Sequence, residues 1–115
     1  MKTVKRKVYI AGKITDDPNY REKFAKAEEE LRDMGYELIM NPAILPEGFT
    51  WEQYMSITLE MLGCCDTIYL LSDWRTSRGA VLEKNMAEAK GMTLIFQTTL
   101  KTPNTPQKTP NKNND

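Results

Sequence analysis

From Tyr20 onward, apolar residues fall at Tyr20, Phe24, Ala27, Leu31 and Met34, and these alternating steps of four and three lay one apolar stripe along a helix. Asp17 is placed to cap that helix, Pro18 to occupy its first position and Gly35 to stop it. Thr50 and Gln53 make a capping box that opens a second helix running to about residue 62. Its shared face carries Tyr54, Met55, Thr58, Leu59 and Leu62, with Thr58 the polar exception. A third helix is predicted over residues 79–90, stopped by Gly91. Its expected inward stripe is Leu82, Met86 and Ala89, with Glu83 beside it on the flank of Ala80 and Ala87.

Short apolar, β-rich runs separate the helices: residues 7–11 (KVYIA), 36–40 (YELIM), 67–71 (TIYLL) and 92–97 (MTLIFQ). Strands alternating with helices specify a parallel sheet with right-handed crossovers. The expected fold class is therefore α/β: a single-domain open parallel sheet of about four strands with helices on both faces, Rossmann or flavodoxin-like, over residues 1–97. Such sheets bind ligands outside the carboxyl ends of their strands, here Gly12, Asn41 and Ser72. Residues 98–115, rich in Thr, Pro, Asn and Lys, carry too little apolar content to fold and read as a disordered tail.

Composition narrows the chemistry. Lys and Arg number 16 and Asp and Glu number 16, so no basic excess points to polymeric nucleic acid. Histidine is absent, which excludes a Ser-His or Cys-His pair and removes the commonest zinc ligand. No metal or cofactor is expected, and any reaction must run on carboxylates, hydroxyls, Tyr, Lys or Arg. The only cysteines, Cys64 and Cys65, are adjacent and suggest a reducing compartment. With no apolar run long enough for a membrane and no leader, the cytoplasm is the expected location. A domain this small leaves apolar surface uncovered, so a homodimer or higher homo-oligomer is also expected.

Residues 73–83 (DWRTSRGAVLE) follow a strand and enter a helix, where backbone N–H groups and the helix dipole favour an anion. Ser77 adds a hydroxyl and Gly79 permits close approach. Taken alone, Ser77-x-Gly79 is equally an N-cap with a tight turn, and Glu83 an exposed helix glutamate.

Tyr9-Ile-Ala-Gly12 after the first strand, Asn41-Pro42 after the second, Cys65-Asp66 before the third, and Ser77-Arg-Gly79 with Glu83 together resemble a group of short bacterial and phage-type domains. That group is similar to the nucleoside 2-deoxyribosyltransferases and the 2'-deoxynucleoside 5'-monophosphate N-hydrolases. The resemblance spans about residues 7–96. It implies that Glu83 attacks the anomeric carbon or stabilises an oxocarbenium-like state, acting on a small nucleotide or nucleoside. It further implies that Ser77, Gly79 and Arg78 hold a 5'-phosphate, since the transferases carry Asp where this chain has Ser77 and a carboxylate would repel that phosphate. Arg75 is a further cation in the same turn. Tyr9 and Gly12 are implied to lie under the sugar and base, Gly12 because a side chain there would fill the pocket, and Asn41 belongs to the same set of strand ends. Trp74 is the preferred base-stacking residue ahead of Trp51 and Tyr54.

One position departs from the pattern. Both enzyme groups place a second carboxylate where this chain has Thr58, and a threonine is no general acid near neutral pH. Asp73 either substitutes for that carboxylate or caps its turn. The expected function is thus an N-glycosidase or deoxyribosyl transferase acting on a nucleoside 5'-monophosphate. The alternative is a non-catalytic nucleotide-binding module that has lost the second carboxylate, and a third reading is an assembly protein that uses the tail.

Overall fold

The computed structural model describes residues 5–98. The tail therefore lies, from residue 99 on, outside the described residues. Four strands and three α-helices alternate: β1 (Lys7–Ala11), α1 (Tyr20–Asp33), β2 (Leu38–Met40), α2 (Trp51–Gly63), β3 (Thr67–Leu70), α3 (Arg78–Ala89) and β4 (Thr93–Phe96). Short 3-10 turns precede α2 (Pro42–Ile44) and α3 (Trp74–Thr76). The sheet is wholly parallel in the order β2-β1-β3-β4, with Tyr9 opposite Met40 on one side and Ile68 on the other. This is the single-domain Rossmann or flavodoxin-like class.

The two-residue period of a strand sorts the core into two layers. Val8, Ile10, Tyr69 and Leu71 pack with Phe24, Ala27 and Leu31 of α1 on one face. Tyr9, Ala11, Ile68 and Leu70 pack with Leu62 of α2 and with Ala80 and Ala87 of α3 on the other. Tyr9 faces α2 and α3 because it lies between Val8 and Ile10, which face α1.

Three local predictions shift. Helix α1 begins at Tyr20 instead of Pro18, because the Asp17 side chain accepts from Asn19 N–H at 3.0 Å and holds residues 17–19 as a turn. Strand β2 pairs only at Leu38–Met40. The inward face of α3 is Ala80, Glu83 and Ala87, while Leu82 is 44% exposed. The predicted flank is the buried face because two alanines let α3 lie close to the sheet, which a stripe of larger residues would prevent. By contrast, the capping box of α2 forms in full: Thr50 Oγ1 accepts from Gln53 N–H at 3.1 Å and Gln53 Oε1 accepts from Thr50 N–H at 2.9 Å.

Chain order reverses between β1 and β3, since β1 leads outward to β2 and β3 to β4. The crevice above the carboxyl ends of β1 and β3 is where this topology places ligands.

Candidate active site

A cavity of about 780 Å³ opens in that crevice, within the size range of small-molecule sites. Its lining comes from the end of β1, the loop into α1 and the first turns of α1, the segment between β2 and α2, the first two turns of α2 and the first two turns of α3. Tyr9, Thr58 and Glu83 are its buried polar residues.

Glu83 is 5% exposed, one turn into α3. Its Oε2 accepts a hydrogen bond of 2.7 Å from the Tyr9 hydroxyl. Burial in an apolar wall pushes the Glu83 carboxyl up to about 7, against the Tyr9 and Thr58 hydroxyls, which favour the ionised form. Tyr9 is raised well above the ordinary phenol range, first by its own burial and then by the charge of Glu83. Near neutral pH the carboxyl is thus divided between its two protonation states, and the Tyr9 O–H stays a donor that fixes its orientation. A buried carboxyl poised in this way is suited to general acid–base or nucleophilic work.

Thr58 completes the cluster from α2 and is 6% exposed. Its hydroxyl lies within electrostatic reach of Tyr9 and Glu83. Even so, Oγ1 has no partner in normal hydrogen-bond geometry, so its effect on the two groups is that of a nearby hydroxyl dipole. It also forgoes the carbonyl one turn back, the usual partner of a helical threonine.

The N-terminus of α3, one turn before Glu83, also lines the cavity. Ser77 is its N-cap: Oγ accepts from Ala80 N–H at 3.1 Å and donates over 3.5 Å to the Gly12 carbonyl, tying α3 to the end of β1. The N–H groups of Arg78 and Gly79, first in the helix, have no acceptor within it, and the dipole adds partial positive charge. The Arg78 side chain lies over the Trp51 ring, 3.8 Å from its centre. Lys13 adds a second cation to the lining, and Asp16 and Glu47 add carboxylates.

Of the residues singled out from the sequence, Tyr9, Gly12, Ser77, Arg78, Gly79 and Glu83 line this cavity together, with Trp51 and Tyr54. Asp73, Asn41 and Trp74 lie outside the lining, as do Ser72 and Arg75. Asp73 accepts from Lys13 N–H at 3.1 Å through Oδ1 and binds Lys23 through Oδ2. Lys23 also binds Asp17 and donates to the Lys13 carbonyl at 2.8 Å. Asp73 therefore anchors the loop between β1 and α1 from behind the cavity. Asn41 caps the turn after β2, accepting from Ala43 N–H at 2.9 Å and donating to Glu28 Oε1 at 3.1 Å. Trp74 packs on Phe96 with Arg75 and Lys84 beside it, outside the lining.

The reason for Gly12 also changes. A Cβ there would come within 2.7 Å of Leu71 Cδ1 and 2.9 Å of Leu71 Cβ. The neighbour that excludes a side chain is thus the strand end carrying Leu71, whose N–H bonds the Ala11 carbonyl at 2.8 Å, and not the cavity. Residues with no individual sequence signal complete the wall: Lys13, Thr15, Asp16 and Glu47 sit in loops without periodicity. Asp16 stands out only in the backbone, with φ of 64°, a left-handed conformation that Asp tolerates better than most residues.

Fold and site together define a parallel α/β domain with a buried carboxyl at its ligand crevice. Residues 6–96 match the family described as Domain of unknown function (DUF4406), and the chain belongs to that family. No curated protein matches the chain. Among the described residues, no helix is long and apolar enough to cross a membrane and no group of three or more His, Cys, Asp or Glu could hold a metal ion.

Proposed function

We propose that this chain cleaves or transfers the base–sugar bond of a nucleoside 5'-monophosphate. The observation that carries the reading is the Tyr9–Glu83 pair, 2.7 Å apart and buried, facing the same cavity as the N-terminus of α3. An anion at Arg78 and Gly79 N–H and a reacting carbon at Glu83 match the two ends of a phosphorylated sugar. Ionised Glu83 attacks the anomeric carbon to form a glycosyl ester that water or an acceptor base then opens, releasing Glu83, or it stabilises the positive charge while water attacks and loses its proton to solvent. The C–N bond breaks and the base leaves with its electron pair. Tyr9 holds Glu83 in one orientation and supports its charge. The departing base needs a proton, which Thr58 does not provide. Solvent water supplies that proton, and Asp16, an exposed carboxylate of the same cavity with no side-chain hydrogen bond among the described residues, is the candidate group to orient it.

The unpartnered Thr58 hydroxyl favours a second reading, a nucleotide-binding module without turnover. Both readings concern a small nucleotide or nucleoside in the cytoplasm, held by a homodimer or larger homo-oligomer. Incubation with ribo- and deoxynucleoside 5'-monophosphates and the matching nucleosides, followed by chromatography for free base, separates them. Wild type is expected to release base from monophosphates, and Glu83→Ala to lower the rate by about 10³-fold or more. Binding without base release in every case overturns the enzyme reading and leaves the module.

A further inference from the structure

We infer that Trp51 is a positioning residue: its indole face holds the Arg78 guanidinium at the cavity, where that guanidinium takes the anionic end of the ligand. This rests on the nucleotide reading above and assigns Trp51 a part in phosphate selectivity, not base stacking.

The geometry is specific. Arg78 Cζ lies 3.8 Å from the Trp51 ring centre, closer than Arg21 to Tyr20 at 5.3 Å or Arg75 to Trp74 at 4.9 Å. Arg78 forms no salt bridge among the described residues, although Asp16 and Glu47 line the same cavity. A stacked guanidinium spends one face on the ring and none of its N–H donors, which lie in its plane. It is thus held in place with its hydrogen-bonding capacity intact, the condition for a bidentate bond to phosphate.

Two other features produce this stack. Trp51 is the first residue of α2, fixed there by the Thr50–Gln53 capping box. Gly79 lets the two helix N-termini meet, since a Cβ there would lie 3.1 Å from Met55 Sδ and 3.8 Å from Trp51 Nε1. A side chain at position 79 would require Met55 Sδ to give way by a few tenths of an ångström, beside the helix start that carries Arg78. The contrasting pair, Arg75 on Trp74, has the same chemistry but lies outside the cavity lining.

The test is calorimetric titration of a nucleoside 5'-monophosphate and its matching nucleoside into wild type, Trp51→Leu, Trp51→Phe, Arg78→Gln and the Trp51→Leu/Arg78→Gln double variant. Trp51→Leu and Arg78→Gln should each weaken the monophosphate about tenfold and leave the nucleoside unchanged. Trp51→Phe should restore most of the loss, and the double variant should be no weaker than Arg78→Gln, because Trp51 acts through Arg78. Equal losses for nucleoside and monophosphate in Trp51→Leu would show direct base stacking and overturn the inference, as would additive losses in the double variant or no loss at all. If wild type binds neither ligand, the nucleotide reading itself fails and takes this inference with it. A loss confined to Arg78→Gln sinks this inference alone. Should Trp51→Leu not fold, the emission of Trp51 in a Trp74→Phe background decides: Arg78→Gln must change it if the stack exists in solution, and an unchanged emission overturns the inference.

Discussion

Each face of the sheet carries a tyrosine bonded to a helix glutamate, and the two pairs meet different surroundings. On the α1 face, Tyr69 donates to Glu30 Oε1 at 2.9 Å, and Gln97 Nε2 donates to the same oxygen at 2.9 Å, at the half-buried margin of an otherwise apolar layer. On the α2 and α3 face, Tyr9 donates to Glu83 at 2.7 Å beneath a cavity, with the unpartnered Thr58 hydroxyl beside them. The first pair ends in neighbours that satisfy it. The second ends in open space, and its carboxyl is held near 7 by burial. Burying a carboxyl and a hydroxyl without full compensation costs stability, and sites tolerate that cost when a ligand is to meet those groups. Both faces are cored by apolar residues, and only on the α2 and α3 face does the tyrosine–glutamate pair border the cavity.

The sharpest way to break this contrast is to damage the α1 face. Leu31 is fully buried there and outside the cavity lining, so Leu31→Ala should cost about 2–5 kcal/mol. Denaturant unfolding would read the loss, while ligand affinity of the folded fraction stays the same.

The next effect comes from Glu83. Its folded carboxyl titrates about 7 against an ordinary 4.5, so between those values the native state binds more protons than the unfolded chain. Stability contributed by this group is therefore present below pH 4.5 and is lost as pH rises through 7. Glu83→Gln keeps an acceptor for Tyr9 and removes the ionisation. Thermal melts across pH 5 to 8 should show it gaining on wild type as pH rises, by a limit on the order of 3 kcal/mol. Parallel profiles for the two proteins would contradict the assignment.

The smallest effect is at Thr58. Replacing a buried, unpartnered hydroxyl with a methyl group removes a desolvation cost without opening space, so Thr58→Val should raise stability by about 1 kcal/mol. An unchanged or lower melting midpoint would mean that the hydroxyl finds a partner in solution.

The same contrast explains what could be read in the chain. The α1 stripe of Phe24, Ala27 and Leu31 was legible because an apolar face at helical spacing has one interpretation. The α2 capping box was legible because it is local, spanning only Thr50 to Gln53. The inward face of α3 was misread in part: apolarity pointed to Leu82, Met86 and Ala89, of which Met86 packs against the core, whereas the buried residues are Ala80, Glu83 and Ala87. A helix that buries a glutamate breaks the apolar rule at that position, so Glu83 was singled out only through the chain's resemblance to others. Gly12 was flagged for a different neighbour, and Asp73 for a reaction or a turn cap, whereas its carboxylate makes no cap bond and binds Lys13 N–H and Lys23. Such contacts join residues some sixty positions apart, and no spacing rule reaches them. Arg78 over Trp51 is of the same kind: each residue was conspicuous, but their stacking depends on how α2 and α3 meet.

The most direct test is a titration of the Glu83 side-chain carboxyl by carbon-detected NMR on glutamate-labelled protein, assigned with Glu83→Gln and repeated with a nucleoside 5'-monophosphate present. The account predicts a midpoint near 7 and a displacement of the Glu83 signal when the ligand is added. A midpoint near the ordinary glutamate value, with no response to nucleotide, would contradict a buried carboxyl at a nucleotide site.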